Sequence, residues 1–139
     1  MTSLLWSKGK RALRTNHRRL VSGSPARSVD LDEQLASRDP DEYRWDYVVE
    51  ARASRRRRGS GVEVHDGNVG EVDVMIAKKR WAVRVLAELE PDLAVERWHW
   101  VVPPGARFAF PPTDRRAREL ARAGVERPSR QIASATLFA

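Results

Sequence analysis

The sequence of 139 residues has no cysteine, which excludes a disulfide framework, a thiol nucleophile and a cysteine-ligated zinc. No apolar run approaches the ~18 to 20 residues that a membrane-spanning helix needs, because charges or prolines interrupt every hydrophobic stretch. The one early apolar cluster, Leu4-Leu5-Trp6, is far shorter than a signal-peptide core, so a cytoplasmic protein without a membrane partner is expected. Glycine-rich phosphate loops are missing too: Gly59-Ser60-Gly61 lacks the Lys-Ser/Thr of a P-loop. His17, His65 and His99 are too scattered for a zinc cluster, and there is no Gly-x-Ser-x-Gly elbow.

Acidic side chains are absent from residues 1–27, which carry seven basic ones, Lys8, Lys10, Arg11, Arg14, Arg18, Arg19 and Arg27. Residues 28–139 hold 19 of each sign, so this segment supplies the whole net charge of +7. It reads as a basic, flexible N-terminal arm, either a solvated extension or an electrostatic clamp for phosphate backbones. An acid-free, arginine-bearing N-terminus also has the look of an organellar transit peptide. Arginine outnumbers lysine 22 to 4, which favours a GC-rich bacterial source instead. With 41% hydrophobic residues, the remainder has the material for one core and is expected to form a single domain over 28–139.

Along that body, Ser28 or Asp30 can cap a short helix through Leu31 and Leu35 that ends before Asp39-Pro40. Tyr43 to Ala51 reads as a strand and Val62 to His65 as a second. Between them, Arg52 to Gly61 reads as the tip of a long hairpin bearing Arg55, Arg56, Arg57 and Arg58. Four adjacent like charges do nothing obvious for folding, so this tip is expected to bind nucleic acid. Asn68 and Glu71 open the strongest helix in capping-box fashion, with Val72, Met75, Ile76, Val83, Leu86 and Leu89 at helical spacing. A strand over Glu96 to Val102 puts Trp98 and Trp100 on one face and His99 on the other, and Arg107 to Phe110 returns as a fourth. A last helix runs from Thr113 or Asp114 through Leu120 to Gly124. The expected fold class is α/β, a small mixed β-sheet flanked by helices, with Val48, Val49, Val62, Val64, Val72, Ile76, Val83, Leu86, Val101 and Leu120 in one core.

One cluster could carry chemistry. Glu63 and His65, two apart in a strand, share a face. If the hairpin register sets Asp46 opposite His65, its carboxylate joins them, and two carboxylates can hold a hard cation such as Mg2+, or Mn2+, through oxygen. The bland reading is a solvated strand face.

Asp46 followed by Glu63-Val64-His65 resembles the acid and acid-x-Lys of the PD-(D/E)xK, or restriction-endonuclease-like, nuclease superfamily, over roughly Leu31 to Val102. The resemblance implies a restriction-endonuclease-like fold, Asp46 and Glu63 as metal ligands, and His65 in the place of the motif lysine. It also implies assistance from Lys78 or Lys79 on the following helix, with Lys79 taken into the candidate catalytic set. Pro40-Asp41 matches the literal Pro-Asp but lies in an apparent turn, so Asp46 is preferred. The expected function is a Mg2+-dependent nuclease or nuclease-derived subunit. The alternative is a non-catalytic nucleic-acid-binding or protein-adaptor module, with Arg55 to Arg58, Lys8, Lys10, Arg11 and Arg14 as the nucleic-acid contacts. A second copy or a protein partner stays open.

Overall fold

A computed structural model describes residues 3–52 and 55–139. Five strands form one mixed sheet in the order β1 (Ser7–Lys8), β2 (Arg27–Asp30), β3 (Tyr47–Glu50), β4 (Arg57–Val64), β6 (Leu93–Val101). The first three pairings are antiparallel. β4 and β6 are parallel and are joined across the sheet by α3 (Val72–Leu89), the connection that parallel neighbours require. The short strands β5 (Gly67–Asn68) and β7 (Phe108–Ala109) pair with each other beyond the end of β4. Thus the return strand near Phe108 exists but joins β5 rather than the main sheet. Among the described residues no helix is long and apolar enough to cross a membrane.

The helices start where their caps say. Asp30 accepts from the Glu33 N–H at 2.9 Å to open α2 (Leu31–Leu35), and Asp114 accepts from the Arg116 N–H at 2.9 Å to open α4 (Arg115–Arg122). Asn68 accepts from the Gly70 N–H and starts the turn that leads into α3. Gly124 follows α4 at φ +79°, a backbone angle that glycine adopts without strain.

The core is split by the sheet. On the α3 side, Val48, Trp45, Trp98, Trp100, Met75, Ala82, Val85, Leu86 and Leu120 pack together. Gly61 allows this closeness: the Trp98 ring comes within 2.4 Å of where a Cβ would stand. On the other side lie Leu13, Leu20, Val21, Tyr47, Val49, Val62, Val101, Ile132 and Leu137. The expectation of one core therefore gives way to two, because alternate residues of a strand enter opposite faces. Val83 is 47% exposed; one residue is a 100° turn in a helix, which carries it away from the face that buries Ala82.

Residues 3–27, expected to form a flexible arm, are built into the fold. β1 pairs with β2, the one-turn helix α1 (Thr15–Arg18) follows, and Leu13, Leu20 and Val21 are at most 4% exposed. The C-terminal turn α5 (Ser134–Leu137) covers the same side. The tip expected over 52–61 is shorter than the sequence suggests, since Arg57 and Arg58 already pair within β4; residues 53 and 54 lie outside the described residues.

Candidate functional site

Pairing of β3 with β4 runs from Glu50 opposite Gly59 to Tyr47 opposite Val62. The next pair along is Asp46 with Glu63, so Asp46 stands opposite Glu63 rather than His65. Each acid then binds the other's strand: Glu63 Oε1 accepts from the Asp46 N–H at 2.9 Å, and Asp46 Oδ2 accepts from the Val64 N–H at 3.0 Å. Side chains thus take the place of the ladder hydrogen bonds where the two strands part.

The second oxygen of Glu63 accepts from Lys78 Nζ at 2.5 Å. Glu63 is fully buried, and the Lys78 side chain is 15% exposed. Lys78 comes three residues after Met75 and four before Ala82, both buried, so it projects from the middle of the face that α3 turns to the sheet. The apolar spacing in the sequence, with Val72, Ile76 and Val83 around Lys79, did not separate the two lysines; the rotation of α3 on the sheet does. A lysine there would be costly without a partner, and Glu63 is that partner.

The electrostatics follow from burial. Burial, reinforced by the neighbouring Asp46 carboxylate, pushes the Glu63 carboxyl up to about 8, against the pull of Lys78. Burial also raises Asp46, opposed by the Val64 N–H and Lys78. Asp30, at the end of β2, is raised to about 6 by burial, with Glu33 and Asp46 adding repulsion. All three acids at this end of the sheet therefore keep their protons to higher pH than they would in water.

The other sequence candidates lie elsewhere. His65 Nε2 sits 3.3 Å from Glu71 at the start of α3, so its ring pairs with that acid and not with the Asp46 and Glu63 pair. Lys79 donates to the Ala123 carbonyl and lies over the Trp98 ring; it is one helical step removed from Glu63, which Lys78 occupies.

The arginine run is at the far end of the same strand. Arg57 precedes Glu63 by six residues, about 20 Å along an extended strand. It bonds Glu50 at 2.8 Å and Glu90 at 3.3 Å, and Arg58 donates to the Phe138 carbonyl. Arg56 lies 3.4 Å from Glu96, and Arg55 is exposed. Although burial opposes it, the Arg57 and Arg27 guanidiniums hold the Glu50 carboxyl below its ordinary range. Lys10 is likewise spent inside the fold, donating to the Val21 carbonyl at 2.6 Å, whereas Lys8 and Arg11 are exposed. Of the expected contacts in the basic segment, Arg14 is the one whose charge acts on Asp46; its N–H donates to the Tyr47 hydroxyl.

Among the described residues, no group of three or more histidine, aspartate or glutamate side chains is placed to hold a metal ion. The chain matches no family model, no curated protein and no solved structure.

Proposed function

We propose that this chain is a metal-dependent nuclease or a nuclease-derived subunit on a restriction-endonuclease-like core. The observation that carries the reading is the meeting of Asp46, Glu63 and Lys78 at one end of the sheet. An antiparallel run of β2, β3 and β4, a crossing helix and a strand parallel to β4 support it as well. The strand β2, which the sequence reading did not contain, extends this antiparallel run ahead of β3.

The donor set suits a hard divalent cation. It offers two carboxylates on adjacent strands, and Asp46 Oδ1 has no hydrogen bond among the described residues. Asp46 and Glu63 would hold the ion. A bound Mg2+ or Mn2+ supplies Lewis acidity at the phosphate and a more acidic water. Lys78 provides the fixed positive charge assigned by resemblance to the third motif position, where His65 stands. It is also the hydrogen-bond donor to Glu63 Oε2.

Calorimetric titration with MgCl2 and MnCl2, followed by cleavage assays on single- and double-stranded DNA and RNA, tests this on the parent, Asp46→Asn, Glu63→Gln and Lys78→Met. The expected result is metal binding and cleavage by the parent, with folded Asp46→Asn and Glu63→Gln doing neither. Lys78→Met should bind metal but cleave at least 10²-fold more slowly, as for loss of one preorganised charge. A parent that binds no metal overturns the reading.

A second reading, non-catalytic nucleic-acid binding, is favoured by one feature: both Glu63 oxygens are already engaged, by a backbone N–H and by Lys78. It predicts oligonucleotide binding that weakens steeply with salt and no metal-dependent cleavage.

A further inference from the structure

Beyond the end of β4, two arginines stack on two phenylalanines. Arg130 lies over Phe108 at 5.3 Å from the ring centroid, and Arg127 over Phe110 at 5.8 Å. Phe110 is buried and meets Trp100 edge-on at 5.7 Å, while Trp100 Nε1 donates to the Asp66 carbonyl at 3.1 Å. This frame is therefore fixed to the sheet. Phe108 is different: it is 40% exposed although it sits in a paired strand. Beside it Arg107 is exposed, and neither Arg107, Arg127 nor Arg130 meets a carboxylate among the described residues. Arg27, Arg44, Arg57 and Arg97 are ion-paired, whereas Arg11, Arg19 and Arg122 are exposed like these three, but without a ring beside them among the described residues. An exposed ring among uncompensated arginines is the combination that single-stranded nucleic acids use, bases on the ring and phosphates on the cations.

The position agrees with that use. Phe108 is opposite Gly67 in the small sheet, and Gly67 follows Glu63 by four residues, so with the spacing between strands the Glu63 and Phe108 Cα atoms are no more than about 19 Å apart. This is at most about five or six stacked steps of one strand at ~3.4 Å each.

Resting on the nucleic-acid reading above, we propose that Phe108, with Arg107 and Arg130, is a stacking platform for unpaired bases, making single-stranded nucleic acid the preferred ligand class. The test is fluorescence anisotropy in EDTA with labelled oligo-dT, oligo-U and a blunt DNA duplex, on Glu63→Gln with and without Phe108→Ala, Phe108→Trp or Arg107→Ala. Metal and cleavage are absent from this assay, so failure of the catalytic reading leaves its outcome intact.

Phe108→Ala should weaken single-strand binding about 5- to 150-fold, the range for loss of one base–aromatic contact. It should leave duplex binding within twofold, and Phe108→Trp should restore the loss. Arg107→Ala should lower affinity for every probe and reduce the salt dependence. The oligo-dT and oligo-U arms tell DNA from RNA. Three results would overturn the platform: no single-strand binding by Glu63→Gln itself, no effect of Phe108→Ala, or an equal loss on single strand and duplex. Melting curves that coincide for Phe108→Ala and its parent are expected, since the ring is largely outside the core.

Discussion

The two faces of the sheet are covered in different ways. On one face a single long helix, α3, lies over the tryptophans, and its backbone hydrogen bonds are satisfied within the helix. The opposite face is closed by irregular chain from both ends, which leaves carbonyls that the helix does not leave. Side chains satisfy them: Ser60 and His99 donate to the Leu137 carbonyl, Arg58 to Phe138, Arg97 to Ala139, Arg18 to Leu13 and Lys10 to Val21. Basic residues that look available for phosphate in the sequence are thus donors to this protein's own backbone. On the helix-covered face Lys79, Trp45 and Trp100 also reach carbonyls, but Lys78 meets a carboxylate, that of Glu63.

The strongest way to break the comparison is in the helix-covered core. Trp45 is fully buried, donates to the Tyr47 carbonyl at 3.0 Å and meets Trp98 edge-on at 5.1 Å. Trp45→Ala should cost about 3 to 5 kcal/mol in urea denaturation. Leu137→Ala, on the stitched face, should cost about 2 kcal/mol, the low end for a buried leucine, because a one-turn helix near the chain end can settle into the gap. Equal losses would mean that both covers are equally rigid.

The acid cluster gives the helix-covered face a pH dependence. Asp30 and Glu63 have pKa values near 4 in an unfolded chain and about 6 and about 8 when folded. Between these limits the folded state holds the extra protons on these two acids, so their contribution to stability falls as pH rises from about 4 to about 8, while His17 and His99, held below their ordinary range chiefly by burial, contribute in the opposite sense up to about pH 6.5. Asp39 and Glu50, both held low in the fold, act in the opposite sense only below about pH 4.5. Asp30→Asn keeps a helix cap but cannot ionise. It should remove on the order of 1 kcal/mol of the decline between pH 4 and 7, after discounting for solvent screening. A pH dependence for Asp30→Asn that coincides with the parent's over this range would contradict the burial of Asp30.

The smallest effect separates neighbours within the arginine run. Arg57→Ala, which strips Glu50 and Glu90 of a partner, should cost about 1 kcal/mol, and Arg55→Ala less than about 0.5 kcal/mol. Equal costs would show that the run acts as a unit.

Periodicity and capping are local, and here they were legible in the sequence. The Asp30 and Asp114 caps, each one of two neighbours offered, the tryptophan face of β6 and the candidacy of Asp46 and Glu63 all follow from neighbours in the chain. The short strand β2 escaped because Ser28-Val29-Asp30 carries too little pattern to separate it from a helix start. Register and docking were decided only by the tertiary structure. Whether Asp46 faces Glu63 or His65 depends on where the hairpin pairs, and a slip of one residue changes every partner. Whether Lys78 or Lys79 reaches the acids depends on the rotation of α3 against the sheet, set by Met75, Ala82 and Leu86 rather than by either lysine. The basic segment was absorbed for the same kind of reason: Leu13, Leu20 and Val21 find apolar surface on Val49, Val62 and Val101 that no reading of residues 1–27 by themselves could supply.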